Sequence, residues 1–326
     1  MRPYDYTRAA SVRDTLAHAG PDTAYLAGGT TLVDLMKLEV MTPSHVVDIN
    51  ELPLRGIAQD KDGLRLGALE TMSDVAAHPD VRRHHPMLAE ALELSASAQL
   101  RTMATIGGNL LQRTRCGYFR DTSTPCNKRE PGSGCSALAG INRTHAILGT
   151  SDSCVATHPS DLAVALVALE ARVHLVGPRQ SRVVPAEALH VLPGRTPHVE
   201  NVLRPGELIT AVSVPRLGAH ARSTYLKIRD RQSYEFALCS AAVVLDVRRD
   251  TITRARVAVG GVGTRPWRLE PVERALTGRR MTTTTFEDAV RRAADGARTL
   301  EHNAFKPALL RRTLVRAFAS LQRPGS

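Results

Sequence analysis

Apolar positions in this chain come in short runs, and the spacing within each run predicts its element. Ser11-Val12-Arg13-Asp14 has the form of a capping box, opening a helix that Gly20 stops. A strand over Ala24–Ala27 runs into Gly28-Gly29-Thr30-Thr31 and then a helix over Leu32–Lys37. A second strand, His45–Ile49, follows Pro43. Strand, turn, helix and strand in that order predict parallel strands. Further on, Asp60–Gly63 reads as a turn before the strand Leu64–Gly67, and helical segments fall within Ser73–Ala77 and Met87–Leu94. A glycine turn follows at Ala104–Asn109. From Thr122 to Gly134 no hydrophobic period survives, and so long a loop inside a compact domain is usually functional.

Order resumes where Ser160 caps a helix over Leu162–Ala171. Strands follow at Val173–Val176 and Leu208–Val214, the second after a turn at Leu203–Glu207. In the last region Ala241–Val247 and Ala255–Val259 read as antiparallel strands across Arg249-Asp250. Helices then cover Glu270–Leu276, Phe286–Thr299 and Lys306–Leu321. The expected class is α+β: two α/β subdomains over residues 1–52 and 53–218, then an α+β domain over 219–326.

Composition narrows this only slightly. Of the 326 residues 43% are hydrophobic and 4% aromatic, so the cores rest on Leu, Val, Ile and Ala. The formal charge of +11 fits a nucleic acid, an acidic partner subunit or a general abundance of Arg. The basic residues are scattered, with no aromatic-interleaved stripe, which weighs against nucleic acid. No run is long and apolar enough to span a membrane. Met1–Ala10 is polar and carries no signal-peptide core, so a cytoplasmic chain is the default expectation. Export with a signal-bearing partner to the periplasm is the alternative.

Candidate chemistry gathers in two places. A glycine pair between strand and helix, as at Ala27-Gly28-Gly29-Thr30-Thr31, lets backbone N–H groups approach a phosphate. It is neither a nucleoside-triphosphate loop nor the three-glycine dinucleotide fingerprint. Thr105-Ile106-Gly107-Gly108-Asn109 is a second turn of this kind, and two such turns suit the two ends of a pyrophosphate. The other place is sulfur-rich: four of five cysteines, Cys116, Cys126, Cys135 and Cys154, with nine, eight and eighteen residues between them. Those spacings match neither the usual zinc pairs nor ferredoxin runs, and leave a cluster, zinc or unligated thiols open. Cys239, in an apolar run, reads as a buried thiol. Arg115, Arg120, Lys128, Arg129 and Arg143 surround the quartet and are expected to favour thiolates. His145 and His158 flank it without ligand spacing to a second His. Asp161 sits at a helix start, and Lys227 in a strand-like run. No Ser–His–Asp pattern or carboxylate pair suggests hydrolysis.

Taken together, these segments resemble the FAD-binding subunit of the molybdenum hydroxylase family, to which xanthine dehydrogenase and carbon monoxide dehydrogenase belong. Ala27–Leu32 resembles its first flavin segment, Ala104–Leu110 its second and Pro159-Ser160-Asp161-Leu162 its third. Ala258-Val259-Gly260-Gly261-Val262 resembles part of the flavoprotein C-terminal domain. The resemblance implies a PCMH-type FAD fold followed by that domain. It further implies that Leu26, Ala27, Gly28, Gly29, Thr30, Thr31 and Leu32 surround the FAD pyrophosphate. Thr105, Gly108 and Asn109 would bind phosphate or ribityl groups, Asp161 would accept hydrogen bonds from FAD, and Lys227 would lie near the flavin. Most of the family runs from Gly-Gly-Asn to Ser-Asp with few intervening residues, whereas here an insertion at about 112–157 holds the four cysteines. It is similar to the insertion of bacterial aromatic aldehyde oxidoreductases, including a periplasmic type, in which four cysteines hold a [4Fe–4S] cluster.

The resulting expectation is an FAD and [4Fe–4S] subunit of a heterotrimeric molybdenum-dependent aldehyde oxidoreductase. A large subunit would carry the molybdenum cofactor and a small one [2Fe–2S] clusters, with electrons leaving to an external acceptor. The alternatives are a flavoprotein subunit of a 4-hydroxybenzoyl-CoA reductase-like or xanthine dehydrogenase-like enzyme, a stand-alone FAD oxidoreductase, and a zinc-stabilised basic nucleic-acid-binding protein.

Overall fold

The computed structural model describes residues 1–322 and contains three sheets. The first joins β1 (Asp5–Arg8), β2 (Thr23–Leu26) and β3 (His45–Asp48) in the order β1-β3-β2, both pairings parallel. The strand–turn–helix–strand unit forms as the sequence predicts, with its helix over Leu32–Lys37. The polar N-terminus supplies a further strand, β1, that apolar patterning cannot reveal, because three of its four residues are exposed and it is held by its backbone and by polar contacts of Tyr6 and Thr7.

The second sheet has the order β4-β5-β8-β6-β7, from β4 (Ile57–Gln59), β5 (Gly63–Gly67), β6 (Arg172–Val176), β7 (Ser181–Pro185) and β8 (Leu208–Pro215). The third runs β12-β11-β10-β9, from β9 (Ala221–Ile228), β10 (Cys239–Arg248), β11 (Thr251–Gly260) and β12 (Trp267–Arg268). β10 and β11 are antiparallel across Arg249 and Asp250, whose positive φ angles of 45° and 66° fit the tight hairpin turn that matches strand twist. Alternate residues of β10 serve two cores. Ala242 and Val244 face the core of the middle sheet, while Ala241, Val243 and Leu245 face the helices Glu270–Leu276 and Lys306–Ser320. A strand buried on both faces reads as one apolar run, as this one does.

The helix Asp161–Ala168 lies between the second and third sheets, and all eight of its residues are buried. Apolar side chains around its whole circumference suit that position. It stops three residues short of the expected Ala171, because Glu170 turns left-handed at φ 55°. The Glu170 and Ala171 N–H groups close back onto Val167 O and Leu166 O in a Schellman ending without glycine. The expected helix over Phe286–Thr299 is likewise shorter: an α-helix over Thr283–Ala289 and a 3-10 turn over Val290–Arg292. Gly296 then takes φ 76° and the Arg298 N–H is diverted to Ile147 O of the cysteine segment. Among the described residues no helix is long and apolar enough to cross a membrane.

Candidate functional site

The two glycine segments touch. A Cβ on Gly28 would lie 1.8 Å from Met103 O, so only glycine lets the first segment pack on the residues that lead into the second. Gly29 has φ 70°, a left-handed value that also favours glycine. The second segment is not a turn, as the sequence suggests, but the start of a short helix, Ile106–Leu110. Its cap is Thr105, whose Oγ1 accepts the Gly108 N–H at 3.2 Å. Gly107 is held against Ala68, where a Cβ would have little room.

Two adjoining cavities form a groove along these segments. One, of about 280 Å³, is lined by Ala27, Gly28, Gly29, Thr30, Thr31, Leu32, Thr105 and Gly108, among others. The other, of about 490 Å³, shares Thr30, Thr31 and Gly108 and extends to Asn109, Asp161 and the loop residues Tyr234 and Phe236. Of the residues assigned to FAD by resemblance, Leu26 and Lys227 line neither cavity. Tyr25, Arg113, Ser95, Tyr234 and Phe236 line the groove without having been singled out, since nothing in their spacing marks them.

Asp161 is the hub of the groove's inner end, and its carboxylate is buried. Oδ2 accepts from Lys227 Nζ at 2.8 Å and Ser95 Oγ at 3.1 Å, and Oδ1 accepts from Tyr225 OH at 2.6 Å. Burial and then the Asp161 charge push the Tyr225 phenol well above its ordinary pKa, so it stays a donor. Lys227 Nζ also donates to Leu94 O. Lys227 is therefore a buried counter-ion to Asp161 and sits behind the groove. A carboxylate offers about four acceptor positions, so Lys227 and Tyr225, with the Ser95 hydroxyl that also reaches Ala91 O at 2.7 Å, orient Asp161 and leave capacity for a ligand. Beside it Ser160 Oγ caps the central helix through the Ala163 N–H and donates to Asn109 Oδ1, joining the second and third segments.

The segment from 112 to 157 has one short helix, Gly117–Arg120, and isolated bridges at Cys126–Cys135 and Ser151–Cys154. All four of its cysteines are free and line one small cavity with Phe119, Lys128 and Ala156. Burial pushes the Cys116 thiol up to about 12 and raises Cys154. The Tyr118 and Phe119 backbone N–H groups oppose that shift at Cys116, and Ala156 N–H reaches Cys154 Sγ at 3.5 Å. Among the described residues no three His, Cys, Asp or Glu side chains converge on a single-ion site. The four cysteines instead line one cavity together, and backbone N–H groups reach the sulfurs of Cys116 and Cys154.

The basic residues around this cavity are engaged differently from the expectation that they favour thiolates. Arg115 and Arg120 bind Asp34 of the helix Leu32–Lys37, and Arg120 is the main cause holding that carboxyl below its usual range. Lys128 pairs with Glu200 and donates to Pro197 O, Arg129 caps the Tyr118 and Phe119 carbonyls, and Arg143 pairs with Asp230. A charge already paired has less field left for a thiol. The cations tie the segment to the rest of the molecule, and Lys128 also opposes the rise at Cys154.

Residues 2–217 match the family described as the FAD binding domain in molybdopterin dehydrogenase, and residues 224–321 match the CO dehydrogenase flavoprotein C-terminal domain. The chain belongs to the FAD-binding subunits of the molybdenum hydroxylases. It is an oxidoreductase subunit, and FAD is the cofactor of its matched domain. It is 45% identical over 325 residues to the aldehyde oxidoreductase FAD-binding subunit PaoB of Escherichia coli, covering 98% of each chain. It is 28% identical to the carbon monoxide dehydrogenase medium chain of Hydrogenophaga pseudoflava, over 90% of this chain and 85% of that one. The solved carbon monoxide dehydrogenase from Hydrogenophaga pseudoflava superposes with a TM-score of 0.78 at 26% identity, over 98% of both chains. For this family the groove fits its cofactor: the backbones of Gly28, Gly29 and Gly108 line it, and Asp161 presents a fixed acceptor at the other end.

Proposed function

We propose that this chain is the FAD- and [4Fe–4S]-binding electron-transfer subunit of a heterotrimeric molybdenum-dependent aldehyde oxidoreductase. The observation that carries the reading is the gathering of Cys116, Cys126, Cys135 and Cys154 on one cavity, within an insertion between two flavin segments. Aldehyde as the substrate class rests on the 45% identity to the E. coli aldehyde oxidoreductase subunit. Substrate oxidation belongs to a large molybdenum-cofactor partner, and a small [2Fe–2S] partner connects it to this chain. An external acceptor takes the electrons.

FAD supplies the exchange between one- and two-electron chemistry when bound, and a [4Fe–4S] cluster supplies single-electron transfer. The chain's own residues bind and orient. Thr105 fixes the helix turn that presents Gly108 and Asn109, and Asp161 is locked by Lys227, Tyr225 and Ser95. The four cysteines would hold the cluster, with backbone N–H groups stabilising thiolate at Cys116 and Cys154.

The test is iron, acid-labile sulfide and FAD analysis of the chain purified anaerobically with its partners. About four irons per FAD are expected beyond those of the small partner's [2Fe–2S] clusters. Cys126→Ser should remove the cluster signal and leave FAD bound. Zinc on this chain, with no iron beyond that of the small partner's [2Fe–2S] clusters, would sink the cluster reading, and a colourless protein that binds DNA would sink the flavoprotein reading as well.

A further inference from the structure

Two of the four cysteines line a further cavity: Cys154 a small one beside His158 and His190, and Cys116 one of about 160 Å³. Ser160 and Asp161 line that cavity too, so it lies between the cysteines and the inner end of the FAD groove. One side chain in it meets the sulfur directly: His145 Nε2 is 3.1 Å from Cys116 Sγ. His145 is 4% exposed, and its other ring nitrogen, Nδ1, is buried without a hydrogen-bond partner.

The imidazole is not placed by chance packing. The His145 carbonyl accepts from Lys306 Nζ at 2.8 Å and from Asn303 Nδ2 at 3.4 Å. Lys306 is wholly buried at the start of the last helix, has no carboxylate partner among the described residues, and gives a further hydrogen bond to Gly261 O at 2.6 Å. The His145 N–H is held by Asn142 O. The C-terminal domain therefore fixes the backbone from which His145 reaches Cys116. An imidazole carries at least one ring N–H to give. Opposite a metal-bound thiolate, which only accepts, that N–H must sit on Nε2.

Resting on the cluster reading, we propose that His145 is a positioning residue that donates its Nε2–H to the Cys116 ligand, on the flavin-facing side of the cluster, and thereby raises the cluster's reduction potential. A hydrogen bond to a ligand sulfur draws off negative charge and so favours the reduced state. Lys306 and Asn303 act one step further out by fixing where His145 stands.

The experiment uses the complete complex and reads the cluster rather than turnover. In the wild-type protein, pulsed EPR with 15N-histidine labelling should detect a weakly coupled imidazole nitrogen on the reduced cluster. In EPR-monitored redox titrations His145→Leu should keep its iron and FAD but have a lower potential. A lost charge-assisted hydrogen bond corresponds to about a tenfold fall in the reduced-to-oxidised ratio at fixed poise, 59 mV for one electron. His145→Gln, which retains an N–H donor, should restore most of the shift, and Lys306→Met should reproduce part of it. A loaded cluster with no coupled histidine nitrogen overturns the assignment, as does an unchanged potential in an iron-replete His145→Leu complex; both leave the cluster reading intact. A wild-type complex with no iron beyond that of the small partner's [2Fe–2S] clusters overturns the cluster reading and this inference together.

Discussion

Around Asn109 and Asp161 the walls of the FAD groove are cast by packing, whereas the adjoining cysteine segment is tied in place by individual side chains. The helix that delivers Asp161 buries all eight residues between two sheets, and the strands beside it lie in regular ladders. The segment from 112 to 157 offers one four-residue helix and scattered bridges. Its carbonyls are taken up by Arg129, Asn142 and Lys306, and its ends are moored by Arg115 and Arg120 to Asp34 and by Lys128 to Glu200. Apolar burial sets geometry without help from a ligand, because every neighbour constrains every other. A segment held by separate polar ties keeps its shape only while those ties, and whatever the sulfurs hold, persist.

The sharpest way to break the contrast is to damage the packed side electrostatically. Lys227→Met leaves the Asp161 carboxylate buried without its counter-ion, and breaking such a pair costs about 3–5 kcal/mol. Urea unfolding should show that loss as a lower midpoint, together with weaker FAD retention, since Asp161 would lose its orientation. A midpoint within about 1 kcal/mol of wild type would mean that Asp161 is not stabilised by this pair and that packing alone sets the groove's inner end.

The same contrast governs what was legible in the sequence. The glycine pairs, the Ser160 cap and the apolar run of β10 stand out because packing imposes a period or a residue type on each. The helix end at Glu170 was missed because the left-handed position carries glutamate instead of the usual glycine. β1 was missed because its stability comes from backbone pairing and polar contacts, which leave no apolar trace. In the insertion, resemblance singles out the four cysteines, but neither resemblance nor spacing reveals that Arg115 and Arg120 face Asp34, some eighty positions earlier, or that Lys306 reaches His145. Long-range polar ties between single residues leave no pattern along the chain.

A smaller effect comes from acid. Burial is the main cause that lowers His85 to about 4 and holds His158 and His190 below their ordinary range. The unfolded chain therefore binds more protons than the folded one between about pH 6.5 and pH 4, and stability falls as pH falls through that window. His85 lies in the packed half, where neither ring nitrogen has a partner, while His158 and His190 border the insertion. His85→Leu should make the slope of stability against pH shallower across that window without altering iron content. An unchanged slope would place the acid sensitivity in the buried histidines of the insertion side, His145, His158 and His190.

The smallest expected effect tests the ties themselves. Asp34 is partly exposed, so its pairs with Arg115 and Arg120 are screened, and Asp34→Asn should cost at most about 1 kcal/mol in global unfolding. Locally the consequence is larger in kind, because those two arginines are the polar part of the insertion's hold on the first sheet's crossover helix, beside the packing of Phe119 and Cys126 on Leu35. Trypsin should cleave the variant faster at arginines within 113–129, while FAD content stays at the wild-type level. Removing iron from the wild-type complex should accelerate the same cleavages further if the sulfurs and the ion pairs share the work of ordering the segment. Equal cleavage rates in wild type and variant would show that the insertion is held by its remaining contacts to the C-terminal domain, and the division between a packed half and a tied half would then run along Lys306 and Asn303 instead of Asp34.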